Sequence, residues 1–400
     1  MDNTKSSPFT PGNPVPVELF VGRAEQIKEI LRYISQIISG RQENLFLVGD
    51  RGIGKSSLAS FLRYYVNTQT DIFGVHIFLG GASTLEEMVH HIFEQILKET
   101  KGQPWYTNIK KFFGEYIREI GLFGISVSFN PPEQDLRELV RKFPEALNNI
   151  LEEINKQKKG LFIILDDING LVEKPEFANW YKSFVDEIAT HYKNFPVFIM
   201  LIGLPEKRDR LSNLQPSLMR IFRVIEIKKL SNEEVKDFIY RAFGKVNMRV
   251  EPDAMEIMVF YSSGLPILMH EIGDATFWTD TDGVIDKEDA KKGILVAAQK
   301  VGEKYLDPKV YRAIRSQRYK SILRKLGEMK IPRTFKKKDV ESQLDPGERR
   351  VFHNFLIKLR GSGVIEIERD EERGTYRFVN EIYPIYIWME SGSLKKIDKN

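Results

Sequence analysis

The 400-residue chain has no cysteine, which excludes disulfides and any zinc site built on thiolates. Its six histidines, His76, His90, His91, His191, His270 and His353, match no sequence pattern for metal ligation. Long apolar runs are missing too. The longest, Val197 to Leu204, falls far short of the roughly 20 residues that cross a bilayer. The polar, proline-containing start, MDNTKSSPFTPGNPVP, has no signal-like apolar core. No repeat or low-complexity tract stands out. These absences predict a soluble, cytoplasmic protein that does not engage a membrane. Charge of either sign is close to balanced, at +4 from 60 Lys and Arg against 56 Asp and Glu. With 42% apolar residues, the chain has enough for two or three domains of about 150 residues each.

What is present starts at Asn44 to Ser57, NLFLVGDRGIGKSS. A short apolar run enters a glycine-rich turn and then a Lys-Ser-Ser that opens an amphipathic helix, the full P-loop pattern G-x-x-x-x-G-K-[ST] in its required context. Gly49, Gly52 and Gly54 let the backbone curl so that N–H groups hold phosphate oxygens at the positive end of the following helix. Lys55 is expected to reach the β- and γ-phosphates, Ser56 to ligate Mg2+, and Ser57 to join the nucleotide site. A second motif, Leu161 to Gly170, LFIILDDING, places Asp166 111 residues beyond Lys55. Five apolar residues ending in two carboxylates describe a buried central strand whose tip meets a P-loop. Asp166 is expected to hold Mg2+ and Asp167 to orient or deprotonate the attacking water. Because Asp167 is one methylene shorter than a glutamate, slow hydrolysis is expected. The pattern Asn-Lys-x-Asp is absent, since Asn155-Lys156-Gln157-Lys158 lacks the acid. Guanine therefore has no support and ATP/ADP is the expected ligand.

The surrounding pattern alternates strands and helices, as in a parallel sheet with both faces covered. The expected fold class is an α/β P-loop NTPase followed by an α-helical lid and a winged-helix domain. Residues 1–16 read as an extended arm and 17–230 as the ATPase domain, with an insertion at about 101–130. Residues 231–306 read as the lid, 307–390 as the winged helix and 391–400 as a basic tail. Ser83 with Glu86 is the expected capping box of one helix. Asp135 to Lys156 reads as one long helix bent at Pro144, and Ile125, Val127 and Phe129 as one face of a strand. Arg208, Arg210, Arg220 and Arg223 lie between two predicted strands. Arg220 or Arg223 could serve a neighbouring subunit's γ-phosphate, which would make self-association nucleotide-dependent. No Asn, Ser or Thr follows Pro196 to Gly203 at once to sense that phosphate.

Charge is unevenly placed. Residues 307–400 hold 22 Lys and Arg against 14 Asp and Glu. Lys309 to Lys338 alone holds 12 basic residues against the single acid Glu328. With Arg349, Arg350, Lys358 and Arg360, that run points to DNA. The hairpin that follows the helix patterns at Val310–Leu326, Lys336–Gln343 and Gly347–Leu359 argues against insertion beside phosphates. In it Glu366, Glu368, Asp370, Glu371 and Glu372 outnumber Arg369 and Arg373.

The order of Phe20-Val21-Gly22-Arg23, GDRGIGKSS, IILDD and Gly264-Leu265-Pro266 resembles the signal-transduction ATPases of the STAND group, a branch of the AAA+ class. The resemblance covers roughly residues 17 to 390. It implies that Val21 and Arg23 approach the nucleotide from a linker and that Lys55 and Ser56 meet the phosphates and Mg2+. Asp166 and Asp167 would take the metal and water, and Pro266 the adenine. The chain departs from the group in three places: no Thr-Thr-Arg-like sensor follows Met200, Ile267 stands where a second-sensor arginine would be, and the C-terminal domain has no Met-His-Asp. Two functions follow as expectations. One is a slowly hydrolysing Mg-ATP switch acting on a protein partner. The other is a DNA-binding AAA+ ATPase, similar to archaeal replication initiators of the origin-recognition type or to transposition-regulating ATPases.

Overall fold

The computed structural model describes residues 6–120, 126–330, 332–368 and 374–397, which divide into two compact units. One unit is formed by residues 16–228, and the other by the N-terminal residues to Val15 together with everything from Lys229 onward.

The first unit opens with α1 (Ala24–Gln36) and β1 (Glu43–Val48), then α2 (Lys55–Gln69), β2 (Ile72–Phe78), α3 (Leu85–Thr100) and α4 (Tyr106–Phe113). A short antiparallel pair, β3 (Ile117–Ile120) and β4 (Ser126–Phe129), precedes α5 (Glu133–Arg141) and α6 (Phe143–Ile154). The unit continues through β5 (Gly160–Asp166), α7 (Pro175–His191), β6 (Val197–Gly203), α8 (Pro205–Leu214) and β7 (Arg223–Glu226). Five strands form one parallel sheet in the order β2-β5-β6-β1-β7. Parallel neighbours require crossovers, and the intervening helices supply them while covering both faces. That is why β5 and β6 are buried along their whole length and read as unbroken apolar runs. The register fixes the site. Val48 pairs with both Gly203 and Glu226, and Asp166 with both Ile202 and Phe78, so the C-terminal ends of all five strands lie together. The buried hydroxyl of Tyr181 donates to Asn44 at 2.7 Å and ties α7 to β1.

The second unit contains α9 (Asn232–Lys245), β8 (Arg249–Val250), α10 (Pro252–Ser262), α11 (Pro266–Thr279), β9 (Val284–Ile285) and α12 (Lys287–Val301). A π-helical stretch, Gly302–Tyr311, leads to α13 (Gln317–Glu328). Then come β10 (Thr334–Lys336), α14 (Lys337–Ser342), α15 (Pro346–Gly361), β11 (Ile365–Ile367), β12 (Thr375–Phe378) and α16 (Ile382–Ile397). The last three strands pair antiparallel in the order β10-β12-β11. The N-terminal segment packs into this unit. Phe9 is buried with its ring 5.0 Å from Phe243 and 5.8 Å from Phe238, centre to centre. The Thr10 N–H donates to His270 Nδ1 at 3.0 Å.

Several local expectations are corrected. The capping box before α3 is Thr84 with Glu87, one residue later than Ser83 with Glu86. The single helix over 135–156 is two, α5 and α6, separated at Lys142, with Pro144 in the first turn of the second, where its missing N–H costs nothing. The helix expected from Val310 begins at Gln317 instead. Pro308 cannot donate to the ladder, and the wider turns around it include Arg312 N–H donating to Asp307 O, five residues back. Ile125 and the hairpin residues Arg369, Asp370, Glu371, Glu372 and Arg373 lie outside the described residues.

Candidate functional site

The P-loop occupies the connection between β1 and α2. Gly52 and Gly54 have φ of 75° and 95°, a left-handed region that side chains resist. Gly49 is required for a different reason. A Cβ there would stand 3.0 Å from the Ile227 carbonyl oxygen and from Ile53 Cγ2, so any side chain would push the loop off β7. Gly54 caps α2, and the backbone N–H groups of a helix's first turn point out toward its N-terminal end. Lys55 Nζ donates to the carbonyls of Gly49 at 2.7 Å and Asp50 at 2.8 Å. Two of the three donors of the ammonium thus brace the loop. Burial pulls the Lys55 pKa below its ordinary value, against the opposing pull of Asp166, Asp50 and Asp167.

The two acids at the tip of β5 are placed differently. Asp166 is buried and its Oδ2 faces His76 Nε2 at 3.0 Å across the β2–β5 pair. Asp167 is exposed and has φ of 64°, a left-handed turn at the strand exit that separates the two side chains. Asn169 donates from its amide to Asp167 Oδ1 and accepts the Leu204 N–H at 3.2 Å. Asn169 thereby links the acid to the tip of β6. Gly80 follows β2, and a Cβ on it would be 3.5 Å from Asp167 Oδ2. Sequence reading passed over both His76 and Asn169. His76 sits in an apolar strand with no motif around it. Asn169 was visible three residues beyond Asp166, but its use depends on β6 lying next to β5.

Arg23 adopts φ of 63° and is buried. Its guanidinium donates to the Ile53 carbonyl at 3.0 Å and to the Lys228 carbonyl, binding the P-loop to the chain leaving β7. Val21 is buried beside it. Arg220 is exposed at the end of the short helix Pro216–Arg220. Arg223 starts β7, with its guanidinium 4.3 Å from the Tyr33 ring centre and 3.4 Å from Glu43. It pairs in register with Leu45, whereas the P-loop leaves after Val48, so it lies toward the opposite end of the strand. Pro266 is the first residue of α11, in the other unit.

The basic region is partly neutralised within its own unit. Lys325 pairs with Glu348 at 2.5 Å and Arg333 with Glu381 at 3.0 Å. Arg377 bridges Glu366 at 2.6 Å and Glu368 at 2.8 Å. Arg349 donates to the Leu344 carbonyl at 2.8 Å. Lys309, Arg312, Arg315, Arg318, Lys320 and Arg350 are exposed.

Residues 19–180 match the AAA ATPase domain family. That segment is an AAA+-type P-loop ATPase domain. Across the chain the fold is similar to that of a Walker-type ATPase of Pyrococcus abyssi, at 19% identity and a TM-score of 0.54, covering 92% of this chain and 96% of that one. It is also similar to the ORC2 protein of Aeropyrum pernix in ADPNP–ADP complexes, at 12% identity and a TM-score of 0.60, covering 100% and 97%. Cdc6p of Pyrobaculum aerophilum matches at 15% identity and a TM-score of 0.51, covering 98% of each chain. An uncharacterized HTH-type transcriptional regulator of Methanocaldococcus jannaschii is 22% identical over 232 residues, 56% of this chain. The match spans about half, 53%, of that relative's length.

Proposed function

We propose that this AAA+-type ATPase domain binds Mg-ATP at the P-loop, hydrolyses it slowly and uses the bound nucleotide as a switch. The convergence of Lys55, Asp166 and Asp167 at the C-terminal edge of one sheet carries this reading. The donor set suits magnesium: the Ser56 hydroxyl and one carboxylate, Asp166, whose second oxygen is held by His76, are the hard oxygen ligands that ion prefers. When bound, Mg2+ would offset the charge building on the phosphate oxygens. Lys55 would turn its third N–H toward the phosphates, and the glycine-lined loop would hold them by its backbone. Asp167, exposed and steadied by Asn169, would accept a proton from the attacking water. The short Asp167 side chain leaves that base farther from the water than a glutamate would be, which favours a long-lived ATP state. Steady-state phosphate release checks this: turnover below about 10 per second, with Asp167→Asn keeping ATP affinity and losing release. Release unaffected by Asp167→Asn would overturn the assignment.

Val21 and Arg23 act in this reading by shaping the loop. Pro266 remains the residue proposed for the adenine by resemblance. Arg220, exposed where Arg223 is engaged by Tyr33 and Glu43, is the better donor to a second subunit's nucleotide.

A second reading takes duplex DNA as the partner whose binding the nucleotide controls, with residues 307–390 acting as a winged helix. The order helix, strand, helix, helix and two strands over Gln317 to Phe378 supports it. The exposed run Lys309, Arg312, Arg315, Arg318 and Lys320 supplies phosphate contacts. The description of the M. jannaschii relative as an HTH-type regulator agrees.

A further inference from the structure

We propose that His76 is a positioning residue for Asp166, holding the carboxylate in the rotamer that meets the metal and itself fixed by Ser60 on the P-loop helix. The role rests on reading Asp166 as the magnesium carboxylate. His76 Nε2 lies 3.0 Å from Asp166 Oδ2, with both side chains 4% exposed. Nδ1 of the same ring lies 3.5 Å from Ser60 Oγ. Ser60 is one helical turn beyond Ser56, so the ring connects the helix that presents the phosphate-binding residues to the acid at the tip of β5.

The hydrogen-bond roles follow from the partners. A carboxylate only accepts, so Nε2 is the donor to Asp166, and a serine hydroxyl, which can donate or accept, suits Nδ1 in either role. The ring also stacks on Phe78, 4.2 Å between centres and 29° between planes, which removes the remaining freedom to turn. Simple adhesion between β2 and β5 does not require this residue. The strands already pair continuously from Ile72↔Gly160 to Phe78↔Asp166, and the neighbouring positions Val75 and Ile77 are apolar and buried. The polar ring is matched to Asp166. Partners that orient a metal ligand from behind typically change metal affinity or activity by about 10–100-fold when removed.

The test separates orientation from bulk. In glutamine the side-chain nitrogen reaches about as far as Nε2 and can still donate to Asp166. Asparagine is a bond shorter and reaches only the Nδ1 position. Binding of a fluorescent ADP analogue is measured in EDTA and across a Mg2+ titration for wild type, His76→Gln, His76→Asn and Ser60→Ala, with circular dichroism reporting the fold. The expected result is similar affinity for all four in EDTA. The Mg2+ midpoint should rise about tenfold or more in His76→Asn and by a smaller factor in Ser60→Ala, and stay near wild type in His76→Gln. If the Asn and Gln variants share one midpoint, the positioning role is overturned while the nucleotide site stands. A wild-type protein that does not bind the analogue in either condition overturns the nucleotide site itself, and this role with it.

Discussion

The ring of Phe9 fills the space that a side chain at Gly273 would need: a Cβ on Gly273 would stand 2.2 Å from Phe9 Cε1. The two positions are 264 residues apart in sequence, yet the aromatic residue of the N-terminal segment and the glycine of α11 form one packing element. Replacing Phe9 by Ala should destabilise the C-terminal unit by about 3 kcal/mol, as for other large-to-small core changes. Gly273→Ala should displace the segment and approach the same loss. Chemical denaturation followed by circular dichroism checks both. A Phe9→Ala midpoint equal to wild type would show that the segment contributes nothing to the unit.

His270 receives the Thr10 N–H on Nδ1, which requires that nitrogen to be unprotonated. Burial lowers its pKa to about 4, with Asp274 opposing weakly, against about 6.5 in the unfolded chain. Between those values the unfolded state binds more protons than the folded one, so stability rises with pH across the window. The contribution is complete above about pH 6.5 and is lost as pH falls toward 4, amounting to about 3 kcal/mol at most. In His270→Gln the pH dependence of unfolding over that range should be flatter. An identical slope in wild type and variant would assign it to other groups.

For duplex DNA, the exposed cations Arg312, Arg315 and Arg318 make salt the discriminating variable. If about four phosphates are neutralised, log affinity should fall against log salt with a slope near −3.6, and replacing the three arginines by Ala should reduce it to about −1. Fluorescence anisotropy with duplexes of unrelated sequence measures this. Absence of binding at low salt, with and without ATP, would leave the basic face as a protein-docking surface.

Much of the ATPase fold was legible because its signals are local. The run into Gly49, the Lys55-Ser56 pair and the apolar strand ending in Asp166 each carry their meaning within a dozen residues. Sheet order, and with it the partners of Asp166, depends on contacts between distant segments. His76 and Asp166 are 90 residues apart, and nothing near His76 marks it. Ser83/Glu86 and Thr84/Glu87 share the three-residue spacing of a capping box, and the structure forms the second, whose Glu87 carboxylate also accepts the Ser83 N–H at 2.7 Å. A charge count over the basic run overstates what is free, because Lys325 and Arg333 pair with Glu348 and Glu381, 23 and 48 residues further along. The carbonyls of Ile53 and Lys228 that the Arg23 guanidinium meets are likewise 30 and 205 residues away in sequence.

The central claim is that the Lys55 loop holds ATP. Isothermal titration of wild type and Lys55→Ala with ATP and Mg2+, alongside matched thermal unfolding curves, tests it most directly. Among the described residues the Lys55 ammonium hydrogen-bonds to the carbonyls of its own loop alone, so the variant should unfold near the wild-type temperature while ATP binding weakens at least a hundredfold, a loss of about 3 kcal/mol. Equal ATP affinity in the two proteins would contradict the account.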